Sequence, residues 1–145
     1  MLLSTYFLSC VIVGIYITIL FFIALYKKDN SIMDIAYGPA FMFTSAILSL
    51  LALSLFPLEI HSLLILILIV LWGTRLSLRI YSKNKGKPED FRYSAWRDLW
   101  MRKGKLYFYT RSYLQIFLLQ GIIVSLVLLP FTLTLTTTYQ ASSLL

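Results

Sequence analysis

Long, uninterrupted blocks of apolar residues dominate the pattern of hydrophobic and polar positions along this chain. The blocks comprise residues 5–26, 35–56, 62–81 and 112–131. Three of them carry no charged residue, and the third in order carries only Arg75 and Arg79. A helix needs about 20 residues to cross about 30 Å of hydrocarbon, and in lipid its backbone groups must pair within the segment. The pattern therefore predicts an all-α, polytopic membrane bundle of four transmembrane helices, in a single domain of residues 1–145.

The composition supports the membrane assignment, and the distribution of charge predicts an orientation. The chain is 59% hydrophobic, with a mean hydropathy of +0.82, which is too apolar for a soluble domain of this size. All 13 Lys and Arg lie either at Lys27 and Lys28 or between Arg75 and Arg111. Basic loops mark the cytosolic side of a membrane. We therefore expect a multi-pass protein with both basic loops in the cytosol and both termini outside it.

The net charge of +7 does not indicate a nucleic-acid partner, because the basic residues lie between apolar spans and leave no room for a packed basic domain. A metal site is not expected either. Cys10 is the only cysteine, His61 is the only histidine, and neither has a second ligand at metal-binding spacing.

The basic segment of residues 82–111 has a helical pattern of its own. One face carries Trp96, Leu99, Trp100 and Lys103, and the opposite face carries Arg97, Asp98 and Arg102. This arrangement predicts a short interfacial helix in the cytosolic loop, with Trp side chains as anchors and anionic headgroups as partners of the basic residues.

Arg75 and Arg79 are four residues apart, so they share one face of the third span. Two interpretations stay open. The side chains can snorkel to the headgroups, with Trp72 beside them in the aromatic belt. Alternatively, they form an anion site for a phosphate-bearing cofactor, because the guanidinium group suits bidentate phosphate contact.

Other polar residues lie at the ends of the predicted helices. Ser31-x-x-Asp34 fits a capping box at the start of the second span, although an acidic side chain at membrane level is costly and can also be functional. Pro88-Glu89-Asp90 resembles a helix start, with acids free to pair with Arg92 or Arg79. Gln120 lies inside the fourth span and requires a partner from another helix.

Several pieces of the sequence, taken in order, resemble a known family. The pieces are Ser31-Ile32-Met33-Asp34-Ile35-Ala36-Tyr37-Gly38, Leu71-Trp72-Gly73-Thr74-Arg75-Leu76-Ser77-Leu78, Lys87-Pro88-Glu89-Asp90-Phe91-Arg92-Tyr93, Phe117-Leu118-Leu119-Gln120-Gly121 and Leu129-Pro130. In this order they resemble DUF1295, membrane proteins similar to steroid 5-alpha-reductases. The resemblance covers about Ser31 to Pro130. It implies a helical enzyme that uses NADPH to reduce a conjugated carbon–carbon double bond of a lipid-like substrate.

The resemblance also implies roles for individual residues. On the cofactor side it implies Arg75, Glu89, Asp90, Arg92 and Tyr93, and on the substrate side Asp34 and Gln120. The dinucleotide-binding motif of such enzymes, similar to R-H-P-N-Y-x-G-E, does not occur in this sequence. We therefore expect an N-terminal half that is inactive alone and does not bind NADPH tightly. Two interpretations stay open, a partial or degenerate reductase, or a working one that is completed by a second chain or a homodimer. The alternative is a non-enzymatic membrane assembly or lipid-binding subunit.

Overall fold

The computed structural model describes residues 2–55 and 57–142, with side chains through residue 136, and within these residues it is built from helices without strands. The helices are α1 (Leu2–Lys27), α2 (Ile32–Leu53), α3 (Ile60–Asn84), α4 (Phe91–Met101), α5 (Lys105–Ser112), a π-helical segment (Tyr113–Leu118), α6 (Leu119–Val127) and α7 (Leu129–Ser142). The all-α prediction is confirmed.

Four helical stretches are long and apolar enough to cross a membrane. They are α1, α2, α3 and the run Lys105–Thr136, which joins α5 to α7 through the π-helical segment. This confirms four candidate spans. The predicted end of the second span, Phe56, lies outside the described residues. The predicted loop of residues 82–111 is largely helical, because α3 continues to Asn84 and α4 and α5 follow it.

Helix α2 occupies the centre of the bundle. It packs against α1 on one side and α3 on the other, and it also contacts α6 and α7. The core between these helices includes Val13, Ile17, Ala24, Met33, Ala40, Phe41, Leu48, Ile116, Phe117 and Val124. Helix α3 packs mainly on α2 and leaves most of its apolar side chains exposed. Such a surface requires lipid or another chain as its cover.

The packing of α3 on α2 depends on small residues and on one proline. A Cβ atom at Gly38 would lie 2.3 Å from the carbonyl oxygen of Gly73, so the two backbones touch at this point. Pro39 lies inside α2 and has no N–H to bond the carbonyl of Ile35. The hydroxyl of Ser77 donates to that carbonyl at 2.9 Å. Gly73 and Ser77, both in the sequence piece Leu71–Leu78 described above, therefore hold α3 against α2.

The π-helical segment widens the fourth span where that span meets α1. The hydroxyl of Tyr113 lies 3.0 Å from that of Thr18, and the ring of Phe117 meets the ring of Phe21 edge-on, with centroids 5.4 Å apart. A π-helix bonds residues five apart where an α-helix bonds residues four apart, and this wider turn changes which side chains face a neighbouring helix. The apolar contacts fix this irregular segment against α1.

The capping box expected at the start of α2 is wrong. The Ser31 hydroxyl donates to the Asp29 carboxylate, as does its own backbone N–H, and Ser31 makes no side-chain cap to α2. Asp29 therefore supports this turn, which leaves Asp34 available to α4.

The expected start of the helix at Pro88 is also wrong. Helix α4 begins at Phe91, and Asp90 is its N-cap, since its carboxylate accepts the backbone N–H of Arg92 at 3.0 Å. Pro88 and Glu89 precede the helix. An Asp at the N-cap satisfies a backbone donor that the first turn of a helix leaves unpaired.

Candidate functional site

The candidate site is an open groove at the end of the bundle where α2 begins and α3 ends. Its volume is about 500 Å³. Its lining comes from α2, α3, α6 and the start of α4, namely Asp34, Tyr37, Leu76, Ile80, Lys83, Asn84, Asp90, Arg92, Gln120 and Ile123. Four of the seven residues that the family resemblance implies therefore lie along one groove, namely Asp34, Asp90, Arg92 and Gln120.

A hydrogen bond connects α2 to α4 behind this groove. The buried Tyr93 hydroxyl donates to Asp34 Oδ1 at 2.6 Å, and Gln120 of α6 lines the same groove. Burial, and then the hydrogen bond to Asp34, raises the pKa of the Tyr93 hydroxyl. The hydroxyl therefore stays protonated at neutral pH and orients Asp34.

Arg92 joins two carboxylates at the outer edge of the groove. Its Nε and Nη2 atoms bond the two oxygens of Asp90 at 3.0 and 3.2 Å, and Nη2 also contacts Asp34 Oδ2 at 3.2 Å. The hydrogen bonds from Arg92 lower the pKa of the Asp90 carboxyl, and those to Asp90 raise the pKa of Arg92. The guanidinium is half exposed (54%), so this edge is polar and reachable.

The opposite wall of the groove is apolar. Leu76 and Ile80 from α3 and Ile123 from α6 line it. These residues belong to helices that qualify as membrane spans. A groove with a polar edge and an apolar wall suits an amphipathic molecule with its polar group near Asp34 and its apolar part toward the bundle.

Glu89 belongs to a second, nearly buried network and not to the groove. Its carboxylate pairs with Arg97 through two bonds of 2.9 and 2.8 Å and accepts the backbone N–H of Asn30 at 2.6 Å. Of the two acids expected to pair with Arg92 or Arg79, Asp90 therefore pairs with Arg92, as predicted, whereas Glu89 pairs with Arg97. These contacts join the α1–α2 turn to α4, which is a structural task.

Arg97 was expected on the face of α4 opposite Trp100, and this orientation is wrong because Arg97 turns inward to pair with Glu89. Its guanidinium lies over the Phe108 ring, 4.9 Å from the centroid, and only 21% of its side chain is exposed. The face of α4 that packs inward carries Tyr93, Arg97 and Trp100, whereas Trp96 remains exposed. The ion pair with Glu89 explains how a charged residue reaches this face.

Arg75 lies away from this groove. Together with Trp72, Leu76 and Arg79 it lines a second, smaller groove of about 200 Å³ on the exposed side of α3, and the two grooves share only Leu76. The structure therefore does not bring Arg75 and Arg92 together, although both occur in the motifs that carry the resemblance.

Sequence reasoning missed Lys83 and Tyr37 in the groove lining. The signal for Lys83 was available, since Leu76, Ile80 and Lys83 follow the i, i+4, i+7 spacing of one helix face. Tyr37 lies one turn after Asp34. Neither residue stood out by type, because a Lys near the end of a span and a Tyr near its start are common anchors.

The charges along the groove do not suit the phosphates of a dinucleotide. Arg92 is already shared by two carboxylates, and Lys83 acts electrostatically on Asp90. Two acids thus oppose two bases, whereas a pyrophosphate site requires uncompensated donors. Within the described residues, the groove therefore suits a neutral polar group better than NADPH.

Comparison with known proteins gives one match. Residues 20–144 match the family described as "Protein of unknown function (DUF1295)". No curated protein and no solved structure matches the chain.

Proposed function

The chain belongs to the DUF1295 family, and from this premise we propose that it binds the polar end of a lipid-like substrate whose conjugated carbon–carbon double bond is reduced with NADPH. The proposal follows the resemblance to steroid 5-alpha-reductases. One observation carries it, namely the hydrogen-bonded pair Tyr93–Asp34 beside a groove, lined also by Gln120, with a polar edge and an apolar wall.

The groove offers hydrogen-bond donors for a carbonyl oxygen. Arg92 uses Nε and Nη2 for its carboxylate partners, and among the described contacts its Nη1 group bonds neither. When a conjugated carbonyl compound is reduced, negative charge develops on the carbonyl oxygen, and preorganised donors stabilise that charge. Arg92 supplies such donors in this proposal. Tyr93 is a positioning residue, because its hydrogen bond fixes Asp34 at the groove.

The proposal assigns the NADPH phosphates to a second chain. The charges of Arg92 and Lys83 are balanced by the carboxylates of Asp34 and Asp90, which argues against phosphate binding in this groove. No step of the reaction is therefore assigned to the cofactor. We expect that the purified chain alone does not bind NADPH with micromolar affinity. Calorimetry that detects such binding would contradict this expectation.

The test of substrate binding uses a lipid enone. The chain in nanodiscs is titrated with radiolabelled 4-cholesten-3-one, and binding is compared between the wild type, Arg92→Gln, Tyr93→Phe and Asp34→Asn. A hydrogen bond to a charged group contributes about 1.5–3 kcal/mol, so removal of the Arg92 guanidinium should weaken binding about tenfold or more, and Tyr93→Phe, which only releases Asp34, should weaken it less. The matched control is Tyr109→Phe on α5, an exposed tyrosine away from the groove. Equal affinity for wild type and Arg92→Gln would refute the proposed site.

The second candidate function is a lipid-binding subunit without catalysis. Asp34 and Asp90 neutralise the charge of Arg92. This favours the second function, because a groove whose charges are balanced also forms a stable binding site for an uncharged lipid. Incubation of whole membranes with the enone and NADPH separates the two functions. A saturated product that disappears with Asp34→Asn supports the reductase, and binding without product supports the subunit.

We also propose that both basic loops lie in the cytosol and both termini lie outside it. Single cysteines at positions 61 and 87, in a Cys10→Ala background, report the two sides. The basic bias around residue 87 predicts that a membrane-impermeant maleimide labels position 61 from outside and position 87 only after permeabilisation. The reverse labelling pattern would overturn this topology.

A further inference from the structure

Two arginines project from the exposed side of α3 without a charged protein partner. Arg75 and Arg79 are both exposed, and within the part of the chain that the structure describes neither forms an ion pair. Their neighbours Leu71 and Leu78 are exposed as well, at 63% and 59%. This side of α3 therefore combines an apolar surface suited to lipid with two uncompensated positive charges.

The pair lies one and two turns before the basic last turn of α3, on the side of the apolar part of this candidate span. Lys83 lies in the last turn of α3. At the rise of an α-helix, Arg75 lies about 12 Å and Arg79 about 6 Å before it along the axis. An arginine at such a depth requires an anionic partner that can reach it. The two residues are one turn apart, so their guanidinium groups can approach one anion together.

We propose that Arg75 and Arg79 bind the headgroup phosphate of an anionic phospholipid in the leaflet next to the basic end of the bundle. The groove of about 200 Å³ that they share with Trp72 and Leu76 receives the lipid. The guanidinium groups contact the phosphate, while Trp72, 49% exposed, covers the glycerol region as an interfacial aromatic residue. The two arginines lie outside the lining of the Asp34 groove, which shares only Leu76 with this site, and the inference is independent of the proposed function.

The test measures which lipid stays bound to the full chain. The purified protein in detergent is mixed with equal amounts of phosphatidylglycerol and phosphatidylcholine, and the retained lipids are counted by native mass spectrometry. We expect the wild type to retain phosphatidylglycerol. A hydrogen bond from a charged group that contacts the phosphate contributes on the order of tenfold or more to affinity, so Arg75→Gln/Arg79→Gln should lower its retention by about tenfold or more.

The control variant Lys27→Gln/Lys28→Gln removes the same formal charge from the α1–α2 turn. It should change lipid retention little. An equal loss in both double variants would overturn the proposal, because it would indicate general charge attraction. Retention at the wild-type level in the arginine variant would overturn it as well. Displacement of the lipid by excess inorganic phosphate would show that the site takes a free anion and not a lipid. Circular dichroism checks that each variant keeps its helical content, and the single variants Arg75→Gln and Arg79→Gln replace the double variant if it does not.

Discussion

The contact between α2 and α3 at Gly38 gives a prediction with a magnitude that follows from the structure. In the variant Gly38→Ala, the new Cβ would lie 2.3 Å from the Gly73 carbonyl oxygen and 2.6 Å from the Ser77 hydroxyl. Ordinary contact begins near 3.4 Å, so the two helices must separate by about 1 Å. Backbone atoms cannot relieve this overlap by a rotamer change.

The expected loss of stability has two parts. Overpacking of a closely packed interface costs about 1–3 kcal/mol. A separation of about 1 Å also breaks the 2.9 Å hydrogen bond from Ser77 to the Ile35 carbonyl, and a buried acceptor without a partner costs about 1–3 kcal/mol. One movement of the helices both relieves the steric overlap and breaks the hydrogen bond, so the two costs are not fully additive. We therefore expect a loss of about 2–4 kcal/mol in the free energy of unfolding.

The assay is unfolding by titration of dodecyl sulfate into mixed micelles, followed by circular dichroism. Gly14→Ala is the matched control, since no atom lies within 4 Å of a Cβ at that position of α1. Alanine is the better helix former by up to about 1 kcal/mol, so the same substitution should be neutral or stabilising there. If Gly38→Ala unfolds within about 0.5 kcal/mol of the wild type, the range typical of substitutions away from such contacts, the close approach of α2 and α3 is refuted.

Three further predictions concern polar contacts. Ser77→Ala should destabilise the bundle by about 1 kcal/mol or more, and less in a Pro39→Ala background, where a restored N–H can bond the carbonyl; equal losses in both backgrounds would contradict this account. Arg97→Ala should cost about 3 kcal/mol, because it leaves a nearly buried carboxylate without its partner, whereas the exposed Arg102→Ala should change the free energy of unfolding little in the same titration. The pKa of the Asp90 carboxyl is lowered in the folded protein. The ionised carboxylate therefore contributes stability above the unfolded pKa of 3.8, and this contribution is lost as the pH falls through the lower folded pKa. Protection of the amides at the start of α4 against hydrogen exchange, measured relative to the intrinsic exchange rate at each pH, should therefore fall on acidification below about pH 4, and Asp90→Asn should remove this dependence.

Much of the fold followed from the hydrophobic pattern because the bilayer restricts the solutions. A long uncharged block must form a helix in lipid, so each predicted block corresponds to a long helix. Tertiary contacts decided the boundaries. Asp90 ends the α3–α4 connection by capping α4, and the fourth span continues from α5 through a π-helical segment. These details depend on local hydrogen bonds that the hydropathy pattern does not contain.

The site was predictable only in part. The family resemblance implied Asp34, Arg92, Tyr93 and Gln120, and these four residues meet at or directly behind one groove. The capping-box rule predicted that Asp34 caps the start of α2, because that rule considers only its spacing of three residues from Ser31. The pairing with α4 joins residues more than fifty positions apart, and spacing rules within one helix cannot detect such a contact.

The sequence by itself determined the class of protein, the four apolar spans and the concentration of basic residues in two segments, because these depend on composition and on the length of helix that the bilayer requires. Only the tertiary structure separated the charged residues by role. It placed Glu89 and Arg97 in a nearly buried pair, Arg92 between two carboxylates, and Arg75 on the open side of α3. The physical reason is that the role of a charged side chain depends on the opposite charge or the solvent that it contacts. Helix packing decides these contacts between residues that are far apart in the sequence.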